Sequence, residues 1–314
     1  MMMTLAKGKQ EVKRLLLKEA PSGEQSPQQL SFAVNYLSFF GYLSVELLKN
    51  LDPEDVRKAV RTFQRWFGLK SDAVVGPKTL RAMEMPRCGC PDQLDPANNV
   101  HKQYLRMQEV AEKNMAKWNK DGLTYAIHQH VSGISKKEQE AVYAAAFKSW
   151  MDICGLRVSK INRVDQADLV ISVGSGRRHN FDGRGGTLAW AYLPNGQGQQ
   201  LLMRFDLAET WTLSPNQRGV LLFNVAAHEF GHMFGLTHSK IKAALMAPNY
   251  NPVVDVPQWN DDIPRMQARY GKPVAVPPTA PTNPPTPGKD EEIFHVECRD
   301  LRVRGYSLFA SGRK

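Results

Sequence analysis

The feature that most constrains this chain is the run His228-Glu229-Phe230-Gly231-His232-Met233-Phe234-Gly235-Leu236-Thr237-His238, with Met246 eight residues further on. On a helix, residues four apart lie one turn from each other on the same face, so His228 and His232 present two imidazoles to one point. Gly235 tolerates the backbone conformation that ends a helix, which lets the chain turn and bring His238 back as a third ligand. Three neutral imidazoles fill three corners of a tetrahedral zinc site and leave the fourth to water, the arrangement of a catalytic rather than a structural metal. Glu229, adjacent to the first ligand but not itself one, is placed to take a proton from that water. A bare His-Glu-x-x-His occurs by chance on ordinary amphipathic helices; Gly235, His238 and Met246 make this one specific.

The run HEFGHMFGLTHS, followed by Ala-Leu-Met246, resembles the metzincin clan of zinc endopeptidases. Val225-Ala226-Ala227 before it and Ser239 after it resemble the matrix metalloproteinases of that clan. The resemblance implies that Met246 underlies the zinc in a tight turn. YLSFFGYL, FQRWFGL, Gly76-Pro77-Lys78-Thr79-Leu80 and Pro86-Arg87-Cys88-Gly89-Cys90-Pro91-Asp92 are similar to the propeptide of the same family, in which the cysteine of the last motif is a latch. By that resemblance Cys88 is a thiolate fourth ligand that excludes water, and the enzyme is silent until the segment is removed. Cys90 departs from the family pattern, which has a non-cysteine there. In an extended segment, residues two apart face the same side about 6.6 Å from each other. Cys90 therefore either competes for the metal or is lost from the site, and the sequence leaves both open.

A chain of 314 residues suits roughly two domains. The net charge of +10 is spread along it without a dense basic run, so nucleic acid is not an expected partner. No stretch approaches the ~18 apolar residues of a transmembrane segment. Residues 1–27 carry only the apolar run Leu15 to Leu17, with no clear signal peptide, while the family resemblance implies a secreted protein of the extracellular matrix. The four cysteines, Cys88, Cys90, Cys154 and Cys298, make no disulfide framework; Cys154, in an amphipathic stretch, reads as a buried small residue.

The expected fold class is α+β, a helical-bundle propeptide followed by a metzincin catalytic domain with a twisted, mixed five-stranded sheet and three helices. Residues 28–96 hold helices over Gln29 to Phe40, from the Asp52-Pro53 cap to Gly68, and from Pro77 to Met85. An exposed connector between Pro96 and Lys120 is the place where an activating protease would cut. The catalytic domain, 97–271, begins with a strand from Leu123 to Val131, a helix from Ser135 to Cys154 and a buried strand from Asp168 to Val173. A helix over 215–234 carries the zinc motif, and a last helix runs from Asp261 to Tyr270. Residues 272–289 form a stiff proline-rich linker, and 290–314 a short tail, too short for the propeller that follows such a hinge in relatives.

Phe181-Asp182-Gly183-Arg184-Gly185-Gly186-Thr187 resembles the family's calcium loop. The resemblance implies a Ca2+ site of Asp182, Gly183, Gly185, Thr187, Asp206 and Glu209, an oxygen-rich set suited to a hard cation. The family's structural zinc is not expected, because Trp190 and Arg204 stand where relatives have histidines; a cation–π pair between them is expected instead. A second calcium is doubtful, since Asp168 remains but Gln199-Gln200-Leu201 replaces the glycine-aspartate run. Gly186 to Tyr192, with Leu188 and Ala189, is the expected edge strand to which a substrate peptide adds. The resemblance puts Leu221, Leu222, Asn224, Pro248, Asn249 and Tyr250 around a side-chain pocket, with a plain core role equally open for Leu222. The expected function is a latent zinc endopeptidase acting on proteins of the extracellular matrix; a non-catalytic protein holding peptides in the same cleft is the rival.

Overall fold

The computed structural model describes residues 27–44, 52–92, 117–120, 122–194, 196 and 198–273. The chain divides into two units, Met1–Val274 and Ala275–Lys314. Only the first is described below. The expected tail and nearly all of the linker, the connector over 93–116 and the N-terminal segment over 1–26 lie outside the described residues.

Helices α1 (Pro27–Phe39), α2 (Pro53–Trp66) and α3 (Pro77–Met83) form the first layer. α2 starts where the sequence supplies a cap: the Asp52 carboxylate accepts from the Glu54 N–H at 2.8 Å, and Pro53 takes the first position, which needs no donor. It ends before Gly68, which adopts φ 65°. The apolar faces meet on Leu37, Phe40, Val56, Val60, Phe63 and Leu80. Buried Gln64 ties the α2–α3 connection by donating to Asp72, to the Val74 carbonyl and to Thr79.

The second layer is a sheet of β1 (Arg87–Cys88), β2 (Gly122–Ile127), β3 (Arg157–Lys160), β4 (Leu169–Gly174), β5 (Thr187–Ala191) and β6 (Leu201–Asp206), in the order β1-β5-β6-β4-β2-β3. All pairs are parallel except β5–β6. Five strands come from the catalytic layer, as expected. The sixth, β1, is the latch motif itself, laid on the edge strand β5.

Helix α4 (Lys136–Met151) opens on a capping box between Ser135 and Glu138 and packs on the zinc-motif helix α5 (Leu222–Met233). Phe147 stacks on Phe230 with centroids 3.6 Å apart, and the Trp150 indole donates to the Ala227 carbonyl at 2.8 Å. Helix α6 (Asp262–Tyr270) closes the domain. Cys154 is buried in this core.

Two boundaries differ from expectation. β2 stops at Ile127 because the N–H groups of His128 and Gln129 both turn to one acceptor, the Ile171 carbonyl, and Val131 is then held by the Gln139 side chain. α5 begins at Leu222 rather than 215, because Trp211–Thr212 (β7) and Val220–Leu221 (β8) pair as a short ladder first. Gly219 makes that approach at φ 143°, with its Cα facing the Thr210 carbonyl.

Candidate active site

α5 brings His228 and His232 to one face, and the chain beyond it returns His238. Each imidazole is oriented through its Nδ1. His228 Nδ1 donates to the Leu245 carbonyl at 2.7 Å, and His232 Nδ1 to the Leu236 carbonyl at 2.7 Å. His238 Nδ1 donates to Asp92 Oδ1 at 2.8 Å. Carbonyl and carboxylate oxygens only accept, so Nδ1 carries the hydrogen and each Nε2 is left as a lone pair.

These lone pairs converge. His228 Nε2 and His232 Nε2 are 3.1 Å apart, Cys88 Sγ is 3.4 Å from His232 Nε2, and His238 Nε2 is buried with no hydrogen-bond partner. All four donor atoms lie within 4.8 Å of one another. A tetrahedral zinc with three nitrogens and one sulfur has N···N edges of about 3.3 Å and N···S edges of about 3.5 Å, so the separations fit that ion. Burial pushes the His228 imidazole down to about 3, with His238 adding to it, and burial likewise lowers His232 and His238. Burial thus favours the neutral form of all three rings, the form in which an imidazole can ligate a metal. Burial and the neighbouring Cys90 push the Cys88 thiol up, so a cation is what would make it a thiolate.

Beneath the ligands lies Met246. A Cβ on Gly231, the residue before His232 on α5, would overlap the Met246 sulfur and come within 2.9 Å of the Trp150 ring. The turn is held by Asp262, a buried carboxylate accepting from Leu245 N at 2.7 Å, Met246 N at 3.1 Å and Gln258 N at 2.8 Å.

Glu229 is fully buried and neither of its oxygens has a hydrogen-bond partner. Burial, with Cys90 adding to it, raises its carboxyl well above the ordinary range. Cys88, Cys90, Glu229 and His232 form a second group whose donor atoms lie within 4.8 Å of one another.

The latch segment fills the cleft by main-chain pairing on both sides. Arg87 N donates to the Gly186 carbonyl at 3.0 Å and Gly89 N to the Ala189 carbonyl at 2.8 Å. Opposite, Cys88 N donates to the Pro248 carbonyl at 2.9 Å, and Tyr250 N to the Pro86 carbonyl at 2.9 Å. A buried clip closes the segment on itself: Arg87 makes a two-pronged pair with Asp92 at 2.6 and 2.9 Å. Tyr42 donates to Asp92, Arg87 donates to Tyr36, and the guanidinium lies 3.5 Å over the Phe40 ring. Burial alone would raise the Asp92 carboxyl, but Arg87 and then His238 outweigh it and hold it at about 2. Asp92 thus bridges the clip to His238, one of the three candidate ligands. Cys90 stays beside the site, its sulfur within 4.8 Å of Cys88 Sγ and a His232 ring nitrogen, with its thiol donating to the Ala191 carbonyl at 3.4 Å and its N–H donating to Cys88 Sγ at 3.3 Å.

Beside α5 a cavity of about 30 Å³ is lined by Leu188, Asn224, Val225, Pro248, Tyr250 and Val254, among others. Asn224 braces its wall by donating to the carbonyls of Asn251, Pro252 and Val254, and the Tyr250 hydroxyl accepts from Leu221 N. Leu222 is wholly buried in the core and does not line this cavity. Ala189 offers its carbonyl to the latch.

In the glycine-rich loop, Asp182 accepts from Thr187 N at 2.7 Å and Glu209 from Gly185 N at 2.5 Å. Gly183 and Gly185 take φ 101° and 86°, open only to glycine without strain. Asp206 Oδ2 is buried without a partner, and burial with the neighbouring carboxylates raises both Asp206 and Glu209. Carboxylate and backbone oxygens of this kind are the ligand type of a hard cation. Across β5 and β6, Trp190 stands opposite Arg204, whose guanidinium lies 5.5 Å from the ring, while the indole donates to the His179 carbonyl. Asp168, the remnant of the doubtful second calcium site, is held by Lys120 at 2.5 Å and by Thr124.

Sequence reasoning gave no role to Asp262 and did not foresee the contact of Asp92 with His238. Arg87 and Asp92 were in plain view in the latch motif and Tyr36 and Tyr42 in the run YLSFFGYL; what the sequence did not show is that the fold pairs the two runs.

Residues 117–271 match the family described as Matrixin, and residues 26–83 match one described as Putative peptidoglycan binding domain. Macrophage metalloelastase of Rattus norvegicus is 34% identical over 280 residues, covering 86% of this chain and 57% of the relative. Interstitial collagenase of Sus scrofa is 34% identical over 274 residues, covering 85% and 54% respectively. Matrix metalloproteinase-18 of Xenopus laevis is 35% identical over 269 residues, covering 82% and 53%. The chain therefore spans a little over half the length of these relatives.

Proposed function

We propose that this chain, which belongs to the matrixin family, is a zinc-dependent endopeptidase held silent by its own residues 86–92. The observation that carries the reading is the meeting of three Nε2 lone pairs and the Cys88 sulfur in one buried space. His228, His232 and His238 would hold the ion and Cys88 would complete its shell in the latent form. Zinc bound there supplies Lewis acidity toward a scissile carbonyl and toward an attacking water. Once residues 86–92 leave, the Gly186, Ala189 and Pro248 carbonyls and the Tyr250 N–H are free to bind a substrate main chain in their place. The cavity walled by Asn224 and Tyr250 takes one substrate side chain. Glu229 then accepts the proton of the attacking water and passes it to the departing amine nitrogen.

The same reading assigns Asp182, Gly183, Gly185, Thr187, Asp206 and Glu209 to calcium, with the unpartnered Asp206 oxygen as its support. It divides the chain into a propeptide over 28–96 and a catalytic domain over 97–271, with activation by cutting in the connector. The relatives named for collagen and elastin make secretion and extracellular matrix proteins the proposed setting and substrates. No helix among the described residues is long and apolar enough to cross a membrane.

The test is peptide hydrolysis after limited proteolysis in the connector. Glu229→Ala is expected to lower the rate by at least about 10²-fold while zinc content stays unchanged. Unaltered hydrolysis by that variant would remove Glu229 from the chemistry, and no hydrolysis by the cut wild type would favour a binding role.

A further inference from the structure

Resting on the latent-peptidase reading, we propose that Cys88 and Cys90 form a disulfide-making modification site, at which a hydroperoxide opens the latch without cutting the chain and Cys90 makes the opening reversible. Three observations carry this. The two sulfurs lie within 4.8 Å of each other, in the group they share with Glu229 and His232. Cys90 already touches its neighbour, since its N–H donates to Cys88 Sγ at 3.3 Å. The chain bends at Gly89 and Cys90 rather than running straight. Fully extended, residues two apart are separated by about 6.6 Å, close to the upper limit of about 6.8 Å between the Cα atoms a disulfide can join; a bend shortens that distance toward the usual range of about 5.5–6 Å. The Cys90 thiol donates to the Ala191 carbonyl, a weak sulfur contact that rotation about its side chain releases.

In the docked segment both cysteines are buried, so the oxidant acts when the segment transiently lifts from β5, and it opens the latch by trapping that lifted form. The freed Cys88 thiolate attacks one peroxide oxygen; a sulfur–oxygen bond forms, the O–O bond breaks and hydroxide leaves. Cys90 then attacks the Cys88 sulfur. A sulfur–sulfur bond forms, the sulfur–oxygen bond breaks, and the Cys90 proton and the departing hydroxide leave as water. Overall, two thiols and one hydrogen peroxide give one disulfide and two waters, with two electrons passing from sulfur to peroxide. A disulfide sulfur has no thiolate charge to offer a cation, so the oxidised segment cannot close the site again. A latch cysteine without a neighbour continues to sulfinic acid, which thiols do not reverse. The short bridge is strained and so is readily reduced by a dithiol.

The test uses the full-length chain carrying Glu229→Ala, loaded with zinc, so that self-cleavage does not remove the segment. It is titrated with hydrogen peroxide, alkylated and mapped by mass spectrometry. The expected result is a peptide spanning 86–92 that has lost two hydrogens and both alkylation sites, restored in full by dithiothreitol. With Cys90→Ser added, Cys88 is expected to gain two oxygens irreversibly. Cys88 sulfinic acid forming beside an alkylatable Cys90 in the parent chain would overturn the proposal. A second arm keeps Glu229: the uncut chain is expected to hydrolyse peptide after peroxide and to fall silent again with dithiothreitol. Silence there, when the proteolytically cut enzyme is active, would overturn latch opening. Silence in both with the disulfide formed would instead overturn the peptidase reading, leaving the disulfide site standing.

Discussion

At the scale of single residues, the latch is a clip of buried charge as much as a sulfur. Arg87 and Asp92 are both buried, paired at 2.6 Å, and Asp92 is shared with His238. Removing one partner of a buried pair leaves the other uncompensated, which costs about 3–5 kcal/mol. Arg87→Ala is therefore expected to loosen residues 86–92 and to raise peptide hydrolysis by the uncut chain, with Cys88 untouched. A variant as silent as the parent, with unchanged resistance of the segment to proteolysis, would contradict that role. The three histidines were legible in the sequence because helical spacing alone brings two of them together. The link between Asp92 and His238 was not, because 146 residues separate them and only the folded cleft makes them neighbours. The same holds for Asp262, whose three backbone donors come from two loops that no local pattern connects.

At the scale of elements, the edge strand β5 is the working surface. The sequence identified it as the strand to which a peptide adds, and the latch segment does add there as β1, in parallel register. That contact demands a glycine: a Cβ on Gly89 would fall 2.5 Å from the Thr187 methyl and 3.3 Å from Trp190 Cβ. Gly89→Ala is expected to push the segment off β5, measured as earlier cutting after Asp92 and as hydrolysis by the uncut chain; equal latency to the parent would mean that the segment binds elsewhere. Helix and strand identities followed from apolar periodicity and caps. Boundaries followed less well, as at β2 and α5, because shared acceptors and short ladders end an element without any change in its hydrophobic pattern. The orientation of Cys90 was likewise open, since alternation in an extended strand fails at a bend.

At the scale of the whole molecule, the proposed account has one zinc, held by His228, His232 and His238, and one calcium in the loop from Asp182 to Thr187. The Trp190–Arg204 pair holds β5 to β6 with an attraction worth about 0.5–2 kcal/mol, in the place where a structural zinc was not expected. Metal analysis of the uncut chain is expected to return one zinc, and two per chain would contradict the account. In the proposed reading the helical layer, the sheet and the segment over 86–92 form a closed enzyme whose closure rests on one sulfur at one site. Zinc K-edge absorption spectroscopy of the uncut chain tests this most directly. The expected spectrum has three nitrogens and one sulfur, with the sulfur lost and hydrolysis gained in Cys88→Ser and neither change in Cys90→Ser. A spectrum without sulfur, or one whose sulfur survives Cys88→Ser, would contradict the claim that Cys88 closes this site.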